Sequence, residues 1–254
     1  MMLTILFTAT RMQAQDLNLY DKESYINGKD SIHYRVLLPE NFDANQKYPL
    51  LIFLHGSGER GSDNEKQLTH GGKLFLDSAI RRKFPAIVVF PQCPEDDRWT
   101  AAARVPGQTG KNAFAFKKGG KPTAAMHALV RMTNDFIKNS YVDRKQVYVG
   151  GLSMGAMGTY ELLRRKPKTF AAAFAICGGD NLANVKKYKH VPLWIFHGGK
   201  DDVVSPELSK EIADHLKMIG KEVKFTLYAD DNHNSWDSAF AEPQLLPWLF
   251  SHRK

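Results

Sequence analysis

A serine flanked by glycines is the residue around which this chain can build chemistry. Ser153 stands in the motif Gly151-Leu152-Ser153-Met154-Gly155, directly after the apolar, β-branched run of residues 147–149. A serine hydroxyl becomes a nucleophile only when a base takes its proton and a sharp turn presents its oxygen. The glycines permit a tight strand-to-helix turn that a Cβ would obstruct. The motif therefore predicts a nucleophilic serine, with a glycine-rich packing turn that holds an incidental serine as the alternative.

A histidine and an acid farther along the chain could activate this serine. His233 follows the predicted strand 224–228, and a histidine, with its ordinary pKa of about 6.5, can take the serine proton near neutral pH. A carboxylate must hold the imidazole tautomer and stabilise the imidazolium. Asp201, after the run 193–196, is the first candidate. Asp202 and Asp180 remain as alternatives.

The same chemistry needs N–H donors for the oxyanion that develops in the transition state. One predicted donor is the N–H of Met154, at the start of the helix after Ser153, where the helix dipole helps. The other lies in the loop His55-Gly56-Ser57-Gly58. We expect the Ser57 N–H to serve, with Gly58 as the second choice. A plain glycine turn is the alternative for this loop.

The sequence indicates no metal site and no other cofactor. It has nine histidines, but no His-x-x-x-His pair and no carboxylate cluster that suggests a metal. His55 and His197 each end a predicted strand before a glycine. At that position an imidazole typically satisfies nearby backbone groups, so we expect a structural role for both.

Buried strands and helices alternate to position these groups. Six apolar runs are too continuous for one-sided strands and predict strands buried on both faces, at residues 50–54, 86–90, 147–149, 171–176, 193–196 and 224–228. Helices are predicted at residues 72–82, 124–139, 154–166, 207–219 and 243–250. This alternation favours an α/β fold with a mostly parallel central sheet and helices on both faces. The carboxyl ends of such strands bring Ser153, Asp201 and His233 to one edge.

Two further segments modify this sheet. Residues 23–26 and 31–38 predict an N-terminal β-hairpin at one edge of the sheet, because Asn27-Gly28 suits a type I′ turn. Residues 95–123 form one long irregular segment rich in glycine and lysine. Long loops in compact domains are usually functional or disordered. We expect this segment to form a wall of the substrate cleft.

Composition fits a single domain, and the N-terminal segment indicates a location outside the cytoplasm. The chain has 254 residues, 43% of them hydrophobic, and no apolar run near the ~20 residues of a membrane span. Residues 1–15 predict a signal peptide cleaved near Ala14, which leaves a single domain over residues 16–254 that is secreted or periplasmic. A frayed tail is the alternative. A disulfide between Cys93 and Cys177 is disfavoured because both would follow separated strands of one sheet.

The net charge of +8 comes partly from lysine clusters such as Lys117-Lys118. A solvated face is the favoured interpretation, and attraction to anionic polysaccharide is the weaker one. No zinc-finger spacing, RNP-like motif or basic recognition helix occurs, so nucleic acid is not an expected partner. The oligomeric state does not follow from the sequence.

Five blocks in order resemble the α/β-hydrolase superfamily, and within it secreted proteins labelled predicted peptidases or feruloyl/acetyl-type carbohydrate esterases. The resemblance runs from Lys47 to the C-terminus. Its blocks are residues 55–61, Pro91-Gln92-Cys93-Pro94 with Trp99, residues 151–155, His197-Gly198-x-x-Asp201 and His233-x-x-Trp236. The order Ser, Asp, His is that of the superfamily. In such proteins the acid lies four residues after the histidine of the His-Gly pair, which supports Asp201 over Asp202.

The resemblance implies an α/β-hydrolase fold and a serine carboxylic-ester hydrolase with an acyl-serine intermediate. Only about a dozen residues separate Cys177 from Val191, so we expect no large lid and an open site. Short or aromatic acyl esters of a small molecule or polysaccharide are the expected substrates. Trp99 is expected to stack on an acyl group or sugar ring, or else to pack beneath its loop. The alternatives are a serine peptidase of the prolyl-oligopeptidase type and a non-catalytic carbohydrate-binding relic.

Overall fold

An eight-stranded sheet forms the centre of the protein. The computed structural model describes residues 16–28, 30–105 and 114–254. Within them the strand order of the large sheet is β1-β2-β4-β3-β7-β8-β9-β10, and β5 and β6 form a separate two-stranded sheet. The strands are β1 Asp21–Asn27, β2 Asp30–Leu37, β3 Tyr48–Leu54, β4 Ile87–Gln92, β5 Ala103–Arg104, β6 Phe114–Ala115, β7 Val142–Leu152, β8 Ala172–Ile176, β9 Leu193–Gly198 and β10 Val223–Tyr228.

The sheet is parallel except at one edge. From β4 through β3, β7, β8 and β9 to β10, every neighbouring pair is parallel. The hairpin of β1 and β2 is antiparallel, and β2 also pairs antiparallel with β4. The predicted α/β-hydrolase fold, with its edge hairpin around Asn27-Gly28, is therefore confirmed.

Helices cover both faces, which explains why the central strands are apolar throughout. All of Leu50–Leu54 in β3 is fully buried, and alternate side chains enter opposite layers: Leu50 and Ile52 pack in one core, Leu51 and Phe53 in the other. The helices are α1 Ser78–Lys83, α2 Ala124–Lys138, α3 Met154–Arg165, α4 Leu182–Tyr188, α5 Pro206–Met218, α6 Trp236–Ala241 and α7 Leu245–Ser251.

Three helical assignments differ from the sequence prediction. The expected helix over residues 72–82 is broken: a 3-10 turn at Leu74–Leu76 precedes α1, which begins at Ser78. The carboxylate of Asp77 causes the break because it accepts hydrogen bonds from the N–H groups of Ala79 and Ile80 and so caps α1. Helices α4 and α6 were not predicted, since six or seven residues are too few to show a helical period.

In the long segment before α2, the strands β5 and β6 pair antiparallel, and residues 106–113 lie outside the described residues. The predicted signal peptide, residues 1–15, also lies outside them. Cys93 and Cys177 are both buried free thiols, as expected. Across the part of the chain that the structure describes, none of the helices combines the length and apolar character needed to cross a membrane.

Candidate active site

Ser153 occupies a sharp turn between β7 and α3. Its backbone has φ 52° and ψ −119°, a left-handed conformation that a serine adopts only under constraint. The glycines around it are sterically required. A Cβ at Gly155 would lie 1.9 Å from the carbonyl oxygen of Leu54, and one at Gly151 would lie 2.4 Å from that of Gly155. The tight turn predicted from the motif is thus present.

The structure brings the three residues singled out by the sequence into one chain of hydrogen bonds. The Oγ of Ser153 lies 3.0 Å from Nε2 of His233. On the other side of the ring, Nδ1 of His233 lies 2.8 Å from Oδ2 of Asp201. This leaves Nε2 of His233 facing the hydroxyl, in position to take its proton, while Nδ1–H donates to the carboxylate.

The carboxylate of Asp201 is fully buried and held on both oxygens. Its Oδ1 accepts hydrogen bonds of 2.9 Å from the backbone N–H groups of Val203 and Val204. Burial alone would raise the pKa of Asp201, but the hydrogen bonds from His197, His233 and the Val204 N–H outweigh it and hold the pKa well below its usual range. The Asp201 carboxylate is therefore negatively charged and can stabilise a protonated His233.

His197 is a second imidazole on the same carboxylate. Its Nε2 lies 3.1 Å from Oδ2 of Asp201 and 3.0 Å from the carbonyl oxygen of Val204. Both are acceptors, so Nε2 carries the proton. Its Nδ1 lies 2.7 Å from Oγ of Ser209 on α5. Sequence reasoning gave His197 only a backbone role; its spacing of four residues from Asp201 was the available signal.

The two competing acids lie elsewhere. The Asp202 side chain is exposed beside the loop. The Asp180 carboxylate accepts hydrogen bonds from the Asn181 N–H, the Asn184 side chain and the Tyr188 hydroxyl, which hold the loop before α4. Burial raises the pKa of Asp180 to about 6 despite these bonds. These contacts give Asp180 a structural role that is separate from Ser153.

The loop after β3 is fixed beneath Ser153 by a buried histidine. Nδ1 of His55 donates to the carbonyl oxygen of Gly56 at 2.6 Å, and its Nε2 accepts from the N–H of Cys93 at 2.9 Å. Burial lowers the pKa of His55 to about 4, so the ring is neutral as this pattern requires. Because the peptide is trans, the Ser57 N–H points away from the Gly56 carbonyl.

Both predicted oxyanion donors lie around one cavity. Ser57 and Met154 line it together with Ser153 and His233. Gly56 lets the loop pack closely against the turn, since a Cβ there would meet Leu152 at 2.9 Å. Arg60 adds a brace outside the loop, because its guanidinium donates to the carbonyl oxygens of Ser57 and Glu95.

Trp99 does not reach this cavity. Its side chain is fully buried, its Nε1 donates to the carbonyl oxygen of His55 at 3.2 Å, and its Cβ fills the space beside Gly158. In this position the ring cannot stack on a substrate. The alternative from the sequence, packing beneath its loop, describes what the structure shows. Trp99 supports His55 rather than touching substrate.

The cavity has a volume of about 680 Å³ and two unlike sides. One side is apolar and is formed by Ala102, Phe114, Met157 and Val203. The other side carries polar and aromatic groups, Glu59, Arg60, His70 and Trp236. Five residues of the long segment line this cavity, as expected for a wall of the cleft: Arg98, Thr100, Ala102, Ala103 and Phe114.

Cys177, Asp201 and His233 offer ligand atoms that all lie within 4.8 Å of one another, a spacing that could hold a metal ion. Their chemistry fits an ion poorly. Burial raises the pKa of the Cys177 thiol, which favours the neutral form, and both Asp201 oxygens already accept N–H donors. The cluster is accounted for by the hydrogen bonds of the serine, histidine and aspartate.

Comparison with known proteins agrees with this geometry. The family model described as phospholipase/carboxylesterase matches residues 42–244. The bifunctional acetylxylan esterase/xylanase of Neocallimastix patriciarum is 30% identical over 191 residues, which cover 74% of this chain and 24% of that protein. Dipeptidyl-peptidase 5 of Schizosaccharomyces pombe is 22% identical, over 88% of this chain and 36% of its own length. The chain thus spans about a quarter to a third of these two relatives.

A crystal structure of a thermostable esterase is also similar. It matches with a TM-score of 0.81 and 30% sequence identity, over 94% of this chain and 64% of the other. The fold is therefore shared with that esterase over nearly the whole chain.

Proposed function

Because the chain belongs to the phospholipase/carboxylesterase family of α/β-hydrolases, we propose that it is a serine carboxylic-ester hydrolase that works through an acyl intermediate on Ser153. The observation that carries the proposal is the continuous contact from the Ser153 hydroxyl through His233 to the buried Asp201 carboxylate, at 3.0 and 2.8 Å. A binding module has no need for a strained serine beside an imidazole.

The reaction follows from these positions. His233 takes the proton of Ser153 as Oγ attacks the ester carbonyl carbon, and Asp201 stabilises the imidazolium. The negative charge that develops on the carbonyl oxygen is stabilised by the N–H groups of Ser57 and Met154. When the tetrahedral intermediate collapses, His233 returns its proton to the departing alcohol oxygen. Water then attacks the acyl-serine with the same base, and the carboxylic acid leaves.

The shape of the cavity supports short or aromatic acyl groups. Ala102, Met157 and Val203 offer an apolar surface of limited extent, and Phe114 adds an aromatic ring. Between β8 and β9 the chain forms only α4 and its flanking residues, so no lid is inserted there to bury a long acyl chain. We propose esters carried on accessible molecules such as carbohydrates, and a secreted or periplasmic location after removal of residues 1–15.

A peptidase with the same machinery is the second candidate, because a dipeptidyl-peptidase is similar over 88% of this chain. The test compares hydrolysis of p-nitrophenyl acetate, methyl ferulate and aminoacyl-p-nitroanilides by the purified protein. We expect turnover of the two esters and little of the anilides. Faster cleavage of the anilides contradicts the esterase proposal. A fluorophosphonate probe checks whether the serine reacts, since a carbohydrate-binding relic stays unlabelled.

A further inference from the structure

A second cavity of about 490 Å³ adjoins the catalytic one. The two share His70 and Trp236, whose side chains line both. The second cavity extends away from Ser153 along α6 and the turn before α1. Its other lining residues include Thr69, Lys73, Asp77, Asp237, Phe240 and Ala241.

The chemistry of ester cleavage fixes which part of a substrate points toward this second cavity. His233 must return its proton to the alcohol oxygen, so the departing alcohol lies against the ring of His233. That ring stands edge-on to Trp236, with centroids 5.5 Å apart and planes at 83°. An alcohol that leaves past Trp236 enters the second cavity, and the acyl group then has the apolar side at Met157 and Val203 available to it.

The lining of the second cavity combines ring faces with charged groups. Trp236 and Phe240 are half-buried aromatic side chains, whereas Lys73 and Asp237 are exposed beside them. Lys73 makes no ion pair with any residue in the described ranges. A sugar ring needs this combination, because its C–H face packs on aromatic rings while its hydroxyls require donors and acceptors. The chain of a lipid alcohol offers no hydroxyls for these charged groups to bind.

We propose that the second cavity binds the alcohol part of the ester and that this alcohol is a sugar residue of an oligosaccharide. The inference rests on the esterase function proposed above. It adds the place where the alcohol part of the ester binds. Lys73 and Asp237 hydrogen-bond the sugar hydroxyls, and Trp236 separates this sugar site from the acyl side.

The experiment fills the cavity and compares two acetyl esters with alcohols of different size. Ala241→Trp places a large side chain in the second cavity, and Ala44→Trp is the control on an exposed loop far from it. We expect Ala241→Trp to lower kcat/KM for acetylated xylotetraose by about tenfold or more, and to leave that for p-nitrophenyl acetate within about twofold. Ala44→Trp should change neither.

A second pair of variants tests the sugar site even if Ala241→Trp prevents folding. Lys73→Ala and Asp237→Ala change exposed side chains, and each should raise KM for the acetylated oligosaccharide with kcat nearly unchanged. Equal losses on both esters, or no loss on the oligosaccharide, overturn the sugar site while the esterase function stands. Selective loss on a long-chain alkyl acetate overturns it in favour of a lipid alcohol. Failure of the wild type to hydrolyse either ester contradicts the proposed function itself.

Discussion

His197 and Asp201 are joined by a hydrogen bond inside the core, and the carboxylate oxygen that His197 contacts is the one that also holds His233. The distances to Oδ2 are 3.1 Å from Nε2 of His197 and 2.8 Å from Nδ1 of His233. His197 is fully buried, and its far nitrogen, Nδ1, lies 2.7 Å from Oγ of Ser209. The carboxylate is therefore shared between two imidazoles, of which one faces the serine.

Removing His197 should shift the pH dependence of catalysis. In His197→Leu the Asp201 carboxylate loses the hydrogen bond that contributes most to lowering its pKa, so the pKa of Asp201 rises. We expect the acid limb of kcat/KM to move to higher pH. The Cys177 thiol, within 4.8 Å of Asp201 and His233, stays neutral because burial raises its pKa.

His197→Gln is the matched control, because its amide keeps an N–H donor at the place of Nε2. This variant should retain an acid limb close to that of the wild type. A pH–rate profile between pH 5 and 8 on p-nitrophenyl acetate measures the shift. If His197→Leu lowers kcat but leaves the acid limb in place, His197 only supports the fold.

Replacing the serine tests the nucleophile. Ser153→Ala should lower kcat by about 10⁴-fold or more and abolish fluorophosphonate labelling, because no other hydroxyl contacts His233 among the described residues. Stability should change little, since alanine has a Cβ like serine and takes the same left-handed backbone. Ser62→Ala, on an exposed loop, is the control for labelling and turnover. Full labelling of Ser153→Ala would place the nucleophile elsewhere.

Asp201 and its neighbour Asp202 allow a buried acid to be compared with an exposed one. Asp201→Asn leaves Nδ1 of His233 without a carboxylate and favours the wrong tautomer, so kcat should fall by about 10³ to 10⁴-fold. Asp202→Asn, one residue later and exposed, should keep kcat within about threefold of the wild type. Steady-state kinetics on p-nitrophenyl acetate compares the two. Equal losses in both variants would contradict the assignment of Asp201.

The positions of Ser153, Asp201 and His233 could be predicted because they follow strands of one parallel sheet. Parallel strands end at one edge, so the order of strands along the chain is enough to place the polar residues after β7, β9 and β10 near one another. Ser153, Asp201 and His233 are such residues. The role of His197 could not be read in the same way, because its partner Ser209 comes from α5 and its approach to Asp201 depends on the path of the loop.

Packing decided the remaining differences. For Trp99 the sequence left open both stacking on a substrate and packing beneath its loop, and the missing side chain at Gly158 makes room for it in the core. The expected helix over residues 72–82 has a helical pattern of apolar residues, yet Asp77 caps a new helix in its middle. Side-chain contacts of this kind compete with periodicity and are invisible to it.

Gly155, two residues after Ser153, is required for steric reasons as well as by the motif. In Gly155→Ala the Cβ would lie 1.9 Å from the Leu54 carbonyl oxygen, so α3 must move away from β3. We expect a loss of at least about 3 kcal/mol in the free energy of unfolding. Gly58→Ala is the matched control for stability, because a Cβ there meets nothing within 4 Å. Urea unfolding followed by circular dichroism measures both; equal midpoints would contradict the packing argument.

The buried His55 should make stability depend on pH. Its pKa is lowered to about 4 by burial, against about 6.5 in the unfolded chain, so between these values the unfolded state binds more protons. Stability is therefore complete above about pH 6.5 and declines as the pH falls toward 4. From pH 7.5 to pH 5 His55 alone should remove about 2 kcal/mol from the free energy of unfolding.

His55→Asn isolates this contribution, because the asparagine amide can still donate to the Gly56 carbonyl but does not titrate. Urea unfolding at both pH values should show a loss smaller by about 2 kcal/mol in His55→Asn than in the wild type. The exposed His190→Asn should keep the wild-type dependence. An identical loss in wild type and His55→Asn would mean that burial does not lower the pKa of His55 in the folded protein. Nε2 would then be protonated at pH 5 and could not accept from Cys93 there, so the contact that holds the Ser57 loop would have to be different.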